Sequence, residues 1–242
     1  MDFIAIVRIC MGWRSAIGRG VWLLVIVLMA IGATGCRDRN DWHQKLTVVV
    51  DTPSGQVSGS SVVEVKSWFG QIPPSTNEVS YKIRGEATVV EVLPGRYLFA
   101  LLGGSKERYY WAVRDELPTQ NRGKWLKLIP KMSTVAILEP KNHGYPMLVT
   151  FRDINDPKSV REVDPLNLSA TFGPGVSLDE ITLEITDEPV TEGQIGKLLG
   201  WWLKQAKDNR DPPAFGVPNQ SPRGYTTVGI LEFVRGIDWR QE

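Results

Sequence analysis

Strand-like runs dominate the pattern of apolar and polar positions along this chain. Lys45 to Asp51 (KLTVVVD) and Val62 to Lys66 (VVEVK) are β-branched, and the turn-rich stretch Thr52 to Ser61 (TPSGQVSGSS) lies between them. That arrangement predicts two strands joined by a loop over 52–61. Val79 to Arg84, Ala87 to Val92 and Tyr97 to Leu102 continue the pattern, with Pro94 and Gly95 marking a tight turn before the last of them. Lys124 to Ile129, Thr134 to Leu138 and Met147 to Phe151 predict further strands, which Pro130, Pro140 and Pro146 keep short.

Helical signals are fewer. Ser105 can cap a short helix over 105–117, where Tyr109, Ala112 and Val113 fall at roughly helical spacing. Asp164 can cap another that reaches Phe172 and is broken by Gly173 and Gly175, after which Ile181 to Ile185 returns to strand. Thr191 stands where it would cap a helix from Glu192 to about Lys204. That segment carries Ile195, Leu198, Leu199, Trp202 and Leu203 at i, i+3, i+4, i+7 and i+8. Such a stripe is how a helix docks on a sheet. Trp201 lies beside it, and Trp201 with Trp202 forms the candidate interaction surface, because an outward indole makes an interface anchor. Asn209 to Arg223 reads as an exposed loop and Thr226 to Val234 as a last strand. The expected fold class is mainly β with a few helices: a β-sandwich-like region over 45–104 and an α+β region over 105–242, packed as one globular body.

The N-terminus has a different character. Arg14 and Arg19 precede an apolar run from Val21 to Ile31, and small residues lead from there to Cys36. This is the order of a secretory signal, and the run is short for a transmembrane helix, which needs about 20 apolar residues. Met11 gives a signal of ordinary size and is the expected start of translation. Residues 1–36 are thus read as a signal and 37–44 as a short tether.

Apolar residues make up 42% of the chain and charged residues 23%, near the globular norm. Of 28 basic and 27 acidic residues, Arg8, Arg14, Arg19 and Asp2 precede Cys36, so the remainder carries 25 against 26. That balance leaves no nucleic-acid footprint. The only cysteines are Cys10 and Cys36, so the body has neither a disulfide nor a thiolate nucleophile to use. With only His43 and His143 there is no two-His metal motif. Phosphate-loop, nucleophile-elbow and dinucleotide fingerprints are missing. No catalytic, cofactor or metal residue is therefore expected. Asp153, Asn155 and Asp156 before Pro157 read as an Asx turn rather than a calcium loop. Glu180, Glu184, Asp187 and Glu188 are the only carboxylate group considered for glycan hydrolysis.

Ala33, Thr34, Gly35 and Cys36 resemble the lipobox of bacterial lipoprotein precursors, a family that usually has Leu where this chain has Ala33. The resemblance implies lipidation of Cys36 after removal of the signal, hence a membrane partner through that lipid. Arg37 is not the Asp that resembles an inner-membrane retention signal, which favours the periplasmic face of the outer membrane; a single N-terminal signal anchor is the alternative. Ala87 to Leu102 (ATVVEVLPGRYLFALL) is similar to the transthyretin-like or carboxypeptidase-regulatory β-sandwich pattern, which implies a binding or structural module. The stretch from Met147 through FGPGV to Gly193 resembles an uncharacterised group of bacterial envelope proteins and implies a fold unit without an assigned activity. The expected function is a non-enzymatic scaffold or adaptor lipoprotein with envelope proteins as partners. The alternatives are a glycan or small-solute binder using Trp68, Trp111 or Trp125, and a carboxylate-dependent hydrolase.

Overall fold

The computed structural model describes residues 39–72, 76–103, 112–117, 121–139, 144–208, 214–218 and 225–236. β1 (Arg39–Thr52) and β2 (Gly55–Ile72) form a long antiparallel hairpin. Its turn is tight: Thr52 Oγ1 donates to Gly55 O at 2.6 Å and accepts from Ser54 N at 3.2 Å. Two expectations are corrected here. Residues 39–44 are not a tether, because Trp42 and Gln44 alternate inward with Leu46 and Val48 and extend the strand. Residues 52–61 are not a loop either. Their small side chains are needed where a strand of the second sheet crosses: a Cβ on Gly59 would stand 1.9 Å from Val89 O, and Ser61 Oγ meets Thr88 Oγ1 at 2.8 Å.

β3 (Thr76–Glu86) completes the meander, and the chain then turns a corner at Ala87 into β4 (Thr88–Leu93) and β5 (Arg96–Ala100). The Pro94–Gly95 turn falls where the sequence places it, with Gly95 at φ 70°. α1 (Ala112–Asp115) lies within the helix expected over 105–117, whose cap Ser105 falls outside the described residues. The strand expected at 124–129 is instead α2 (Arg122–Leu128), continued by a 3₁₀ turn over Ile129–Lys131. Asn121 Oδ1 accepts from Lys124 N at 3.1 Å and caps it. Trp125, Leu126 and Ile129 then bury one helical face while Lys124 and Lys127 stay in water.

The order continues with β6 (Val135–Ile137), β7 (Leu148–Phe151), β8 (Val160–Glu162), α3 (Ser169–Phe172), β9 (Ser177–Thr186) and α4 (Gln194–Asp208). β10 (Ala214–Pro218), β11 (Tyr225–Gly229) and β12 (Val234–Arg235) complete it. α3 is shorter than expected because Asp164 Oδ1 closes a turn on Leu166 N, and Gly173, at φ 113°, ends the helix as read from the sequence. β10 occupies part of the expected 209–223 loop by pairing with β11. A 3₁₀ turn at Ile230–Glu232 divides the expected last strand.

The fold is mainly β with a few helices. One antiparallel sheet runs β12-β3-β2-β1-β9-β6 and a second runs β4-β5-β7-β8, so each sheet takes strands from both sequence halves. Along β5 the side chains alternate: Leu98 and Ala100 enter the core beneath the large sheet, whereas Phe99 and Leu101 enter a second core with Ile195, Leu199 and Trp202 of α4. The small sheet is therefore buried on both faces, between the large sheet and the helix.

Glu86 holds this arrangement at the corner. It is only 3% exposed, and its carboxylate accepts from Gly193 N (2.8 Å), Gln194 N (2.8 Å) and Ile195 N (3.1 Å) at the start of α4. Thr191, the expected cap, instead bonds along β2, accepting from Val62 N and donating to Val62 O. A charged acceptor at a helix N-terminus satisfies otherwise orphan donors and favours the helix dipole. Replacing Glu86 with Gln keeps the size and removes the charge. The expected loss is about 1.5 to 3 kcal/mol in urea unfolding, and an unchanged midpoint would show that the carboxylate is dispensable.

Candidate functional site

Cys36, the expected lipidation site, lies outside the described residues, as do His143 and Trp111. The candidate surface at Trp201 and Trp202 resolves into two different environments. Trp202 is fully buried and packs edge-on against Phe151 and Phe233, with centroids at 6.1 and 5.6 Å. It belongs to the core-facing stripe, which corrects its assignment to a surface. Trp201 is half-buried, stacks on Trp202 at an interplanar angle of 10°, and donates from Nε1 to Ile154 O at 3.0 Å. The indole that would be an outward anchor thus ties α4 to the loop after β7.

That loop is the Asx turn read from RDINDP. Asp153 Oδ1 accepts from Asn155 N at 2.9 Å and Asp156 Oδ1 from Lys158 N at 2.9 Å, so both carboxylates are engaged by backbone. Among the described residues no cluster of His, Cys, Asp and Glu is placed to hold a metal ion. Of the tryptophans considered for glycan binding, Trp125 is only 5% exposed in the α2 core face, which removes it from that role. The side chain of Trp68 is outside the described set.

The acidic group on β9 and its following turn is organised around Lys45 on the outer face of the large sheet. Register places Lys45 opposite Glu184; its Nζ lies 4.0 Å from Glu184 Oε1 and 2.7 Å from Glu188 Oε1. His43 Nδ1 meets Glu188 O at 2.7 Å. The hydrogen bond to Glu188 raises the Lys45 pKa above its ordinary 10.5 against a smaller opposing effect of burial, with further help from the charges of Glu188 and Glu184. Lys45 is accordingly an ammonium at neutral pH and neither a nucleophile nor a base. Glu184 and Glu188 share one cation on a sheet face rather than opposing each other across a cleft, so the pair suits structure better than general acid and base work.

One surface feature escaped the sequence pattern. Among the described residues β6 is the terminal strand of the large sheet, and its Val135 and Ile137 are 49% and 59% exposed. A terminal strand offers unpaired backbone groups, and apolar side chains on it favour association. Each residue looked ordinary in a strand prediction, because only topology makes β6 an edge. No helix among the described residues is long and apolar enough to cross a membrane.

The chain matches no family model, no curated protein and no solved structure.

Two measurements follow from these contacts. Trp201→Phe removes the donor to Ile154 O while keeping most of the ring, and a loss of about 1 kcal/mol is expected; no loss would mean that the hydrogen bond holds nothing in place. The second concerns alkaline pH. Tyr145 is also raised from its ordinary 10.0, by burial first and by the charge of Glu139 second. Both Lys45 and Tyr145 bind their protons more tightly in the folded chain, so their stabilisation is present below the ordinary values and drains away as pH climbs through the raised ones. Denaturation midpoints should fall as pH rises above 10, and the Lys45→Met, Tyr145→Phe double variant should fall less. Identical slopes would assign the alkaline loss to other groups.

Proposed function

We propose that this chain is a lipid-anchored module of the bacterial envelope, acylated at Cys36 and acting as a non-enzymatic scaffold or adaptor on the periplasmic side, with the outer membrane as its favoured address. One observation carries the reading. Cys36 follows a basic and apolar signal-like segment and is the last cysteine in the chain, and only Arg37 and Asp38 separate it from the first residue of β1. A folded, cysteine-free β body thus begins immediately beyond a lipobox-like sequence, as an anchored module needs. The edge of β6, with Val135 and Ile137 in water, supports a role in contact with another protein, because an open edge with apolar side chains can accept a partner strand.

The test combines labelled palmitate with membrane fractionation in cells that make the wild type or Cys36→Ser. Label in the wild type and none in the variant is expected, together with release of the variant from the membrane. A wild type that sediments with membranes but takes no label would replace the acyl anchor with a signal anchor. Crosslinking in intact cells addresses the adaptor role: a body that captures no protein, with or without Cys36, has no such role.

A further inference from the structure

The register of the large sheet brings a short two-stranded ribbon to the end of the body where Cys36 is attached. Arg39, the first residue of β1, is paired with Trp68 of β2. Beyond that level β2 and β3 continue to pair through Phe69 with Val79, Gly70 with Glu78, Gln71 with Asn77 and Ile72 with Thr76. At about 3.3 Å per residue these pairs extend roughly 13 Å past the start of β1. The neighbour of β3 on its other side, β12, pairs only at Gly85 and Glu86. Among the described residues the ribbon has no third strand, and two strands alone are marginally stable in water.

Its residue types are mixed: Phe69, Ile72 and Val79 are apolar, whereas Gly70, Gln71, Thr76, Asn77 and Glu78 are small or polar. Phe69 and Val79 occupy register positions on the face that carries Val65 and Ile83, whereas Trp68 and Ile72 occupy the opposite face with Glu64 and Lys66. Between residues 69–72 and 76–79 the one charge is Glu78. Basic residues resume just above: Arg39 is level with Trp68, and Lys66 and Lys82 are direct cross-strand partners. Like charges directly opposite each other cost stability, and Lys66 has the acidic Asp41 as its cross-strand partner on the other side. Glu64 bonds Lys66 at 3.1 Å, and Lys82 is exposed.

Covalent length then selects what the ribbon meets. Three peptide steps separate Cys36 from Arg39, so a lipid on Cys36 is held within about 11 Å of the Trp68 level. From this placement, and resting on the proposed acylation of Cys36, we infer that the ends of β2 and β3, residues 69–72 and 76–79, enter the headgroup region of the anchoring membrane. Arg39, Lys66 and Lys82 then lie at the level of the lipid phosphates. Tryptophan at an interface with lysine and arginine beside it is the usual composition of such a contact. The acyl chains hold the protein on the membrane, and the ribbon gives the body a fixed orientation there.

The test uses full-length protein extracted from membranes and reconstituted in vesicles of phosphatidylethanolamine with a minority of phosphatidylglycerol. An acylated chain from which the signal, with Cys10, has been cleaved has no free thiol, so Ile72→Cys, Thr76→Cys and, at the opposite end of the hairpin, Ser54→Cys each accept a single environment-sensitive fluorophore. Probes at 72 and 76 should lose most of their quenching by aqueous iodide and become quenched by spin-labelled lipid, while the probe at 54 stays open to iodide. Probes at 72 and 76 as accessible to iodide as the probe at 54 would overturn the inference. Shielding at 72 and 76 in native membranes but not in protein-free vesicles would overturn it too, by assigning the ribbon to a protein partner. The wild type and Cys10→Ser distinguish failure of the anchor: if Cys10→Ser still reacts with the thiol reagent, Cys36 is free and the acylation itself is refuted.

Discussion

The buried carboxylate of Glu86 is the contact on which the layered arrangement depends. Three structural commitments meet within two residues of it. β3 leaves the large sheet there, Ala87 N donates to Phe233 O at 2.8 Å, and the first amides of α4 converge on the carboxylate. Gly85, at φ 150°, permits the corner, since a Cβ there would stand 2.7 Å from Val63 Cγ1. A buried charge is costly unless several donors surround it. Here the donors come from a segment more than a hundred residues away, so the charge is satisfied only when the corner and α4 are assembled together.

The consequence reaches the second core. α4 bends at Leu199 (φ −119°, ψ 25°), immediately before Gly200, and Ile195, Leu199, Trp202 and Ala206, spaced i, i+4, i+7 and i+11, all enter the second core. Trp202 closes on Phe151 and Phe233, and Phe99 packs edge-on against both of those rings at 5.6 and 5.4 Å. Each of these four aromatics comes from a different element, and edge-on packing gives such a cluster directional preference as well as burial. Trp201 adds the tie to the Asp153 loop. The residues with the most aromatic surface in α4 are thus spent on internal order, and exposed apolar side chains appear instead elsewhere, at Leu166 and Leu231 as well as at Val135 and Ile137 of β6.

What could be read from the sequence follows from the range of the interactions involved. Strand alternation in β1, β3, β4, β5 and β9 is local and was legible, as were the Gly95 turn and the Gly173 stop. Residues 52–61 misled because Gly59 and Ser61 are small for a tertiary reason, the crossing of β4, and small residues without that knowledge look like a turn. At 124–129 the mixed apolar pattern fits either period over so short a span, and the Asn121 cap decides it. Thr191 had the right chemistry for a cap but lies beside β2, whose Val62 claims it, and Glu86 is invisible as a cap from a distance of over a hundred positions. Of the candidate surface, Trp202 was readable as core from its stripe, whereas the exposure of Val135 and Ile137 required knowing that β6 ends the sheet.

The same register gives the proposed anchor a geometric meaning. With Cys36 acylated, Arg39 lies near the lipid, and β1 climbs away from it for 14 residues, about 46 Å of extended chain. Val135 is paired with Glu184, and Glu184 with Lys45, six residues up β1. The open edge is thereby held about 20 Å above the Arg39 level at strand spacing. Backbone hydrogen bonds run across a sheet, so an edge strand offers its free groups sideways. If the sheet stands upright on its anchor, a partner strand on β6 meets the protein laterally. On the proposed reading the lipid on Cys36 would supply the address and the ribbon the orientation, and the length of β1 would set the height at which the β6 edge is engaged.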